Sequence, residues 1–207
     1  MTLVPGVWVV APSEFVGGGV VSSDRALLAR ALADDRAALR EIYDQHAPRI
    51  HRFLRDMLRD PVAAADATQE TFARAFRRLP TLREEDRITP WLFGIARNVC
   101  FELRKARRRH GGARLDRDTP DRAPEELDAH TPENALLGRE AAEIIDRALS
   151  RLSEDRRTVL LLRADHALAY DEIAQLMRWS LSKVKVEIHR ARLELRRELE
   201  TYRGGPR

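Results

Sequence analysis

The chain has 207 residues, 37 of them Lys or Arg and 33 Asp or Glu, for a formal net charge of +4. That length allows one large domain or two small ones, and a single cysteine, Cys100, rules out a disulfide framework or a cysteine-based metal cluster and fits a reducing cytoplasm. With 34% of residues charged and no unbroken run of about 20 apolar residues, no membrane-inserted segment is expected.

Arginine supplies 34 of the 37 cations, including positions that read as ordinary exposed helix faces, so the excess speaks for codon usage more than for function. Where the charges fall matters more than their sum. Residues 1–22 are apolar in patches, Val7 to Ala11 and Phe15 to Val21, without a basic leader; they read as a flexible leader, and a start codon assigned too far upstream gives the same texture. From Ser23 the texture is helical: Ser22 or Ser23 can cap, and Leu27, Leu28, Ala31 and Leu32 form an apolar patch. A second helix presents Leu39, Ile42, Tyr43, Ile50, Phe53, Leu54 and Met57 and ends before Pro61, with Pro48 expected to kink it. Over Val62 to Leu79, Ala65, Thr68, Phe72, Phe76 and Leu79 share one side, and Asp66, Gln69, Glu70, Ala73 and Arg77 the other. Leu79 to Arg87 is a loop, marked by Pro80 and a charge cluster.

Ile88 to Arg109 reads as one long helix. Thr89 and Pro90 are its start signal, an N-cap hydroxyl followed by a first-turn proline. Leu92, Ile95, Val99, Leu103 and Ala106 recur at steps of three and four and form the inward stripe. Trp91, Asn98, Lys105 and Arg109 lie on another line, with Arg97, Arg104 and Arg108 beside them. Cations meet phosphates, a ring stacks on an exposed base and an amide reads a base edge, so this strip suits nucleic acid. The competing reading is a solvated face with its tryptophan half in the core. Six cations from Arg97 to Arg109, opposed only by Glu102, weigh against it.

Residues 107–134 break every periodicity and concentrate Gly, Pro, Asp and Arg, the composition of a solvated linker. Helical texture resumes with Ala141, Ile144, Ile145, Ala148 and Leu152, then Val159 to Leu162 after a capping Ser153. A short helix, Tyr170 to Met177, precedes a polar turn and a longer helix starting near Ser182, the pattern of a helix-turn-helix. In the last helix Val184, Ile188, Ala191, Leu195 and Leu199 form the buried stripe, while Lys183, Lys185, His189, Arg190, Arg192 and Arg196 look outward. His189 has no second ligand at a metal-binding spacing and is read as a phosphate contact or a surface residue. No strand-like alternation and no repeat occur, so the expected class is all-α, with domains at 23–106 and 135–203 joined by the 107–134 linker.

DATQETF (Asp66 to Phe72), WLFGIARN (Trp91 to Asn98), and YDEIAQLM followed by VKVEIHRARLELR stand in one order around that linker. Together they resemble the sigma-70 family of bacterial transcription initiation factors, in its small two-domain extracytoplasmic-function group. The resemblance covers residues 24–104 and 135–200. It implies that the first domain clamps a coiled coil of core RNA polymerase through Asp66, Gln69, Glu70, Arg74 and Arg77. The same domain would melt the −10 promoter element with Arg87, Trp91, Arg97, Asn98, Arg104 and Lys105. Holding an extruded base costs a few kcal/mol of stacking, which a pocket and a cationic track can offset. The second domain would read the −35 duplex with Ser182, Lys183, Lys185, Val186, Glu187, His189, Arg190 and Arg192; Glu187 could accept from a cytosine amine and Val186 touch a thymine methyl. Further partners implied are promoter DNA and an anti-sigma factor, with no small-molecule substrate, no cofactor and no metal.

The chain departs from the family pattern in places. Glu84, Glu85 and Asp86 add negative charge before the long helix, Arg178 and Ser182 replace expected turn glycines, and Ala169 replaces a usual capping Ser or Thr. Lys183, Val186 and Glu187 stand where Thr, Ser and Arg are commoner. The alternative reading is a stand-alone helix-turn-helix regulator, which leaves Asp66 to Phe72 and the cationic long helix unexplained. An enzyme acting on nucleic acid is disfavoured: no clustered carboxylates, His/Cys ligand set, glycine-rich phosphate loop or nucleophile motif is present.

Overall fold

The computed structural model describes residues 20–82, 87–109 and 143–203. Residues 1–19 of the expected leader, Glu84 to Asp86, residues 110–134 of the expected linker and the C-terminal Gly204 to Arg207 lie outside the described residues. Within them every regular element is helical: α1 (Val20–Leu32), α2 (Arg36–Leu58), α3 (Pro61–Arg78), a 3-10 turn (Leu79–Thr81), α4 (Ile88–Arg109), a helical stretch at 143–151 (α5), α6 (Glu154–Ala164), α7 (Tyr170–Met177) and α8 (Leu181–Arg203). The all-α expectation holds. The chain divides into two compact units, Met1–Ile42 and Tyr43–Arg207.

In the first unit Leu27, Leu28, Ala31, Ala38 and Ile42 are buried. Asp35 caps α2, its Oδ1 accepting from the Ala37 and Ala38 N–H groups at 2.9 and 3.3 Å. Arg30 pairs with the same carboxylate at 2.9 Å and, with the backbone donors, holds it below the usual carboxylate range. The helix begins at Val20, so α1 takes in the last three residues read as leader.

α2 runs unbroken through Pro48. Pro48 is exposed, whereas Ala47, Ile50, Phe53, Leu54 and Met57 are buried; burial of that stripe outweighs one lost backbone hydrogen bond. α2 ends at Leu58, and Asp60 caps α3, accepting from Ala63 N–H at 3.0 Å ahead of a first-turn proline. The inward stripe of α3 is Ala63, Ala64, Ala67, Thr68, Thr71, Phe72 and Ala75. Ala65, expected inside, is exposed and Phe76 is half-buried: the stripe is turned so that small alanines, not Ala65, let α3 approach α4. Thr68 and Thr71 satisfy their buried hydroxyls by donating to the carbonyls of Ala64 and Ala67, each at 2.7 Å.

α4 has the expected bounds but a different cap. Trp91 N–H donates to the Arg87 carbonyl, which makes Arg87 the N-cap and puts Thr89 inside the first turn. Pro90 stays in that turn, where its missing N–H has no intrahelical acceptor. Ile88, Leu92, Phe93, Ile95, Ala96, Val99 and Cys100 are buried, and Leu103 and Ala106 only half-buried. Burial pushes the Cys100 thiol up to about 12, so it stays unreactive.

Ser153 caps α6 as expected, accepting from Arg156 N–H. Ala169 cannot cap α7 with its side chain; Glu172 accepts from the Ala169 N–H at 2.7 Å, one half of a capping box. The α7–α8 turn closes through Trp179 N–H onto the Ala174 carbonyl, with Arg178 at φ 55°, ψ 43°. A side chain in that left-handed conformation costs about 1–2 kcal/mol relative to glycine. Replacing the exposed Arg178 by glycine is therefore expected to stabilise the fold by about 1 kcal/mol and raise the Tm by about 2–4 °C, measured by thermal melting; an unchanged or lower Tm would show that the turn is held by contacts of the arginine itself. α8 begins one residue ahead of Ser182, capped by Ser180, whose Oγ accepts from Lys183 N–H at 3.3 Å. Its stripe is buried at Val184, Ile188 and Ala191 but only half-buried at Leu195 and Leu199.

Candidate nucleic-acid interface

The expected −10 strip lies along α4, but its cations are not all turned to solvent. Asn98 and Lys105 are exposed and Trp91 is half-buried. The Arg97 guanidinium lies over the Phe101 ring at 4.5 Å and within 3.5 Å of the Asp155 carboxylate. Arg104 donates to the Met57 carbonyl at 3.0 Å and lies 3.5 Å from Glu154, which Arg108 approaches at 3.9 Å. Arg107 pairs with the α3 cap, Asp60, at 2.8 Å. At the head of the helix Arg87 reaches Glu172 at 2.7 Å. Glu154 and Asp155 form the acidic first turn of α6, so one side of the strip is occupied by carboxylates of this same chain.

On α3 the predicted polymerase face separates into two parts. Asp66 and Gln69 are exposed. Glu70 accepts from Arg74 at 2.6 Å, which holds its carboxyl below the usual range, and Arg77 stands 3.9 Å away. Arg74 also donates to Glu102 at 2.7 Å and so bridges α3 to α4. Its fork is already filled by two carboxylates, an arrangement that suits a structural tie better than an open contact.

The helix-turn-helix presents Ser182, Lys183, Lys185, Val186, His189, Arg190 and Arg192 as exposed residues of α8, with Val186 an exposed large apolar side chain. Lys183 Nζ sits 4.0 Å over the Trp179 ring, which fixes its direction at the mouth of the turn. Glu187 is the exception among the predicted base readers: it accepts from Arg156 at 2.8 Å and Arg190 at 2.9 Å and is largely covered. The hydrogen bond from Arg156 keeps its carboxyl ionised below the usual range. Arg156 also pairs with Glu194, and Arg151 at the end of α5 with Glu198, so α5 and α6 together hold α8 by a row of ion pairs. Glu187 is thus engaged within the fold, unlike the exposed residues beside it on α8.

Arg157 and His166 are buried polar residues that no sequence motif marks. Arg157 donates to the Leu149 and Ser150 carbonyls at the end of α5, at 2.9 and 2.8 Å, and burial lowers its pKa to about 10. A cation there also complements the helix dipole. His166, 3% exposed, packs against Phe93 at 4.7 Å and Phe53 at 5.9 Å, and its backbone carbonyl accepts from Arg49 at 2.6 Å. Nothing in its local sequence signals this, because its aromatic partners are about 70 and 110 positions away. Among the described residues no three His, Cys, Asp or Glu side chains gather as a metal-holding group, and no helix is long and apolar enough to cross a membrane.

Comparison with known proteins agrees with this layout. The family model "Sigma-70 region 2" matches residues 42–110, and "Sigma-70, region 4" matches residues 142–195. The chain is 30% identical over 177 residues to RNA polymerase sigma factor YlaC of Bacillus subtilis, covering 81% of this chain and 95% of that one. It is 29% identical over 175 residues to the ECF RNA polymerase sigma-E factor of Haemophilus influenzae, covering 82% and 92%. Among solved structures, CnrH in complex with the cytosolic domain of CnrY superposes with a TM-score of 0.66 at 22% identity, over 86% of this chain and 98% of that one. The sigma factor RpoE of Bartonella quintana, solved with NepR, gives 0.63 at 20% identity over 78% and 96%. Both likenesses speak to the fold alone. Region 2 spans the helix with the cationic strip and region 4 the helix-turn-helix, in the order in which the motifs stand: the chain belongs to the sigma-70 family of RNA polymerase sigma factors, in its extracytoplasmic-function group.

Proposed function

We infer that this protein is an alternative sigma factor, a non-catalytic subunit that binds core RNA polymerase in the bacterial cytoplasm and directs it to promoters. One observation carries the reading: region 2 and region 4 matches occur together in one chain, which a stand-alone helix-turn-helix regulator does not require. The proposed division of labour puts polymerase binding and −10 melting in residues 23–106 and −35 reading in residues 135–203. Asp66, Gln69 and Glu70 are the proposed polymerase contacts, with Arg74 and Arg77 orienting Glu70. Trp91, Asn98 and Lys105 are the proposed first contacts with the melted strand, joined by Arg87, Arg97 and Arg104. Ser182, Lys183, Lys185, Val186, His189, Arg190 and Arg192 would face the −35 duplex, with Glu187 supporting Arg190 from inside. Family membership implies an anti-sigma factor as a further partner.

The test is transcription in vitro: the chain is added to sigma-free core polymerase with a pool of genomic fragments, and RNA 5′ ends are sequenced. Discrete starts preceded by a shared pair of elements are expected. Duplex binding by the chain alone with no starts would favour the stand-alone regulator. A second expectation concerns α3: changing Asp66 and Glu70 together to lysine reverses two charges on its outward face and should weaken core-polymerase binding about tenfold or more, with helicity by circular dichroism unchanged. Unaltered pull-down of core enzyme would remove both residues from the contact surface.

A further inference from the structure

We propose that Trp179 is a positioning residue of the helix-turn-helix. Its ring holds the Lys183 ammonium at the head of α8, from where it donates to the major-groove edge of a guanine in the −35 duplex. This rests on the proposed reading of that duplex by α8. The two residues stand four apart across the start of the helix, Trp179 half-buried and Lys183 exposed, and each is fixed through its backbone. Trp179 follows Arg178 in its left-handed conformation, and its N–H donates to the Ala174 carbonyl at 2.9 Å. Lys183 N–H donates to Ser180 Oγ at 3.3 Å, and that hydroxyl also meets Ser182 Oγ at 3.1 Å. Between these anchored ends Lys183 Nζ lies 4.0 Å from the centre of the Trp179 ring.

A lysine stem rotates freely in water, and ordering it on binding costs affinity. An indole face is the strongest aromatic partner for a cation, so the stacked lysine is partly ordered before DNA arrives. Arg190, by contrast, already has the Glu187 carboxylate at 2.9 Å, whereas the partner of Lys183 is an uncharged ring. Helix stability does not account for the placement: the helix dipole opposes a cation in the first turn, and α8 has no acidic residue there to offset it. Helical side chains lean toward the N-terminus, and in a helix-turn-helix that end of the second helix meets the base edges. An ammonium only donates. Guanine presents two major-groove acceptors side by side, O6 and N7, where adenine sets an amine donor beside its N7 and cytosine presents a donor.

The test uses the full chain with core polymerase on a promoter library whose −35 segment is randomised, the transcripts being sequenced. Wild type should favour guanine at one position of that segment. Lys183→Met should lose this preference about tenfold while preferences at other positions hold. Trp179→Leu should lose about threefold at the same position only, and Trp179→Phe, which keeps an aromatic face, should retain most of it. The double variant, Trp179→Leu with Lys183→Met, should be no worse than Lys183→Met alone; circular dichroism checks that each variant keeps its helices. A Lys183→Met loss spread evenly over all sequences marks a phosphate contact and overturns the proposal, as does a preference for a base other than guanine. So does a Trp179→Leu variant that keeps the guanine preference or adds a further loss to Lys183→Met, since the ring would then serve packing alone. Wild-type starts that ignore the −35 segment altogether refute the −35 reading itself, an outcome distinct from a failure of the lysine.

Discussion

Lowering the pH from 7 to 5 is expected to destabilise the 43–207 unit by about 2 kcal/mol through one side chain, His166. Its imidazole is buried between Phe53 and Phe93, its Nε2 has no hydrogen-bond partner, and it faces Arg49 and Arg52 of α2. Burial first, and then those two cations, lower its pKa from 6.5 to about 3. On the α7 side the nearby charge is Glu172, which acts on Arg49. In the unfolded chain His166 takes up a proton below about pH 6.5, whereas in the folded chain it stays neutral until about pH 3. The unfolded state therefore binds more protons through that window. Stability is full above pH 6.5 and falls as the pH drops toward 3, by about 1.4 kcal/mol for each unit. Urea unfolding of wild type and His166→Leu at pH 7, 6 and 5 checks it: the leucine variant should show a flatter pH dependence. Equal slopes in the two proteins would acquit His166.

Phe53→Ala is expected to cost about 3–5 kcal/mol, the largest effect of any single change considered. Phe53 is fully buried and meets Phe93 edge to face, with ring centroids 5.4 Å apart at 89°. It also forms the floor under His166 at 5.9 Å. Truncation removes the transfer free energy of the ring, leaves a cavity that well-packed neighbours fill only in part, and withdraws the aromatic pairing. Since small domains are stable by only about 5–15 kcal/mol, urea titration should show a large loss in the midpoint. A cost below about 1 kcal/mol would mean that the site collapses around the gap and that Phe53 does not anchor α2 to α4.

Periodicity made the helices legible. α4 and α7 have the bounds their apolar spacing predicts, and Ser153 caps α6 as its position before the apolar run suggests. Local start signals were weaker guides: Thr89–Pro90 reads as a cap and first turn, yet the Arg87 carbonyl takes that role two residues earlier. Pro48 lies inside α2, which continues because its buried face extends beyond the proline on both sides. The motifs pointed to the family for the same reason, since each is a run of neighbours whose order in the chain is their identity.

The amino-acid sequence by itself determined the all-α class, the family and the greater part of each helix's buried face, though not the turn of α3 that leaves Ala65 outside. Those depend on contacts within a turn or two and on residue order. What only the tertiary structure decided is which charges remain available. Arg74 is held by Glu70 and Glu102, Glu187 by Arg156 and Arg190, and the α4 arginines by Glu154 and Asp155. Several of these partners lie tens of positions apart, and His166 meets Phe53 and Phe93 from the far side of the chain. Helical periodicity extends over neighbours and says which way a side chain points. It carries no term for what another helix brings to meet it, and in a chain with one third charged residues that meeting sets the chemistry of the surface.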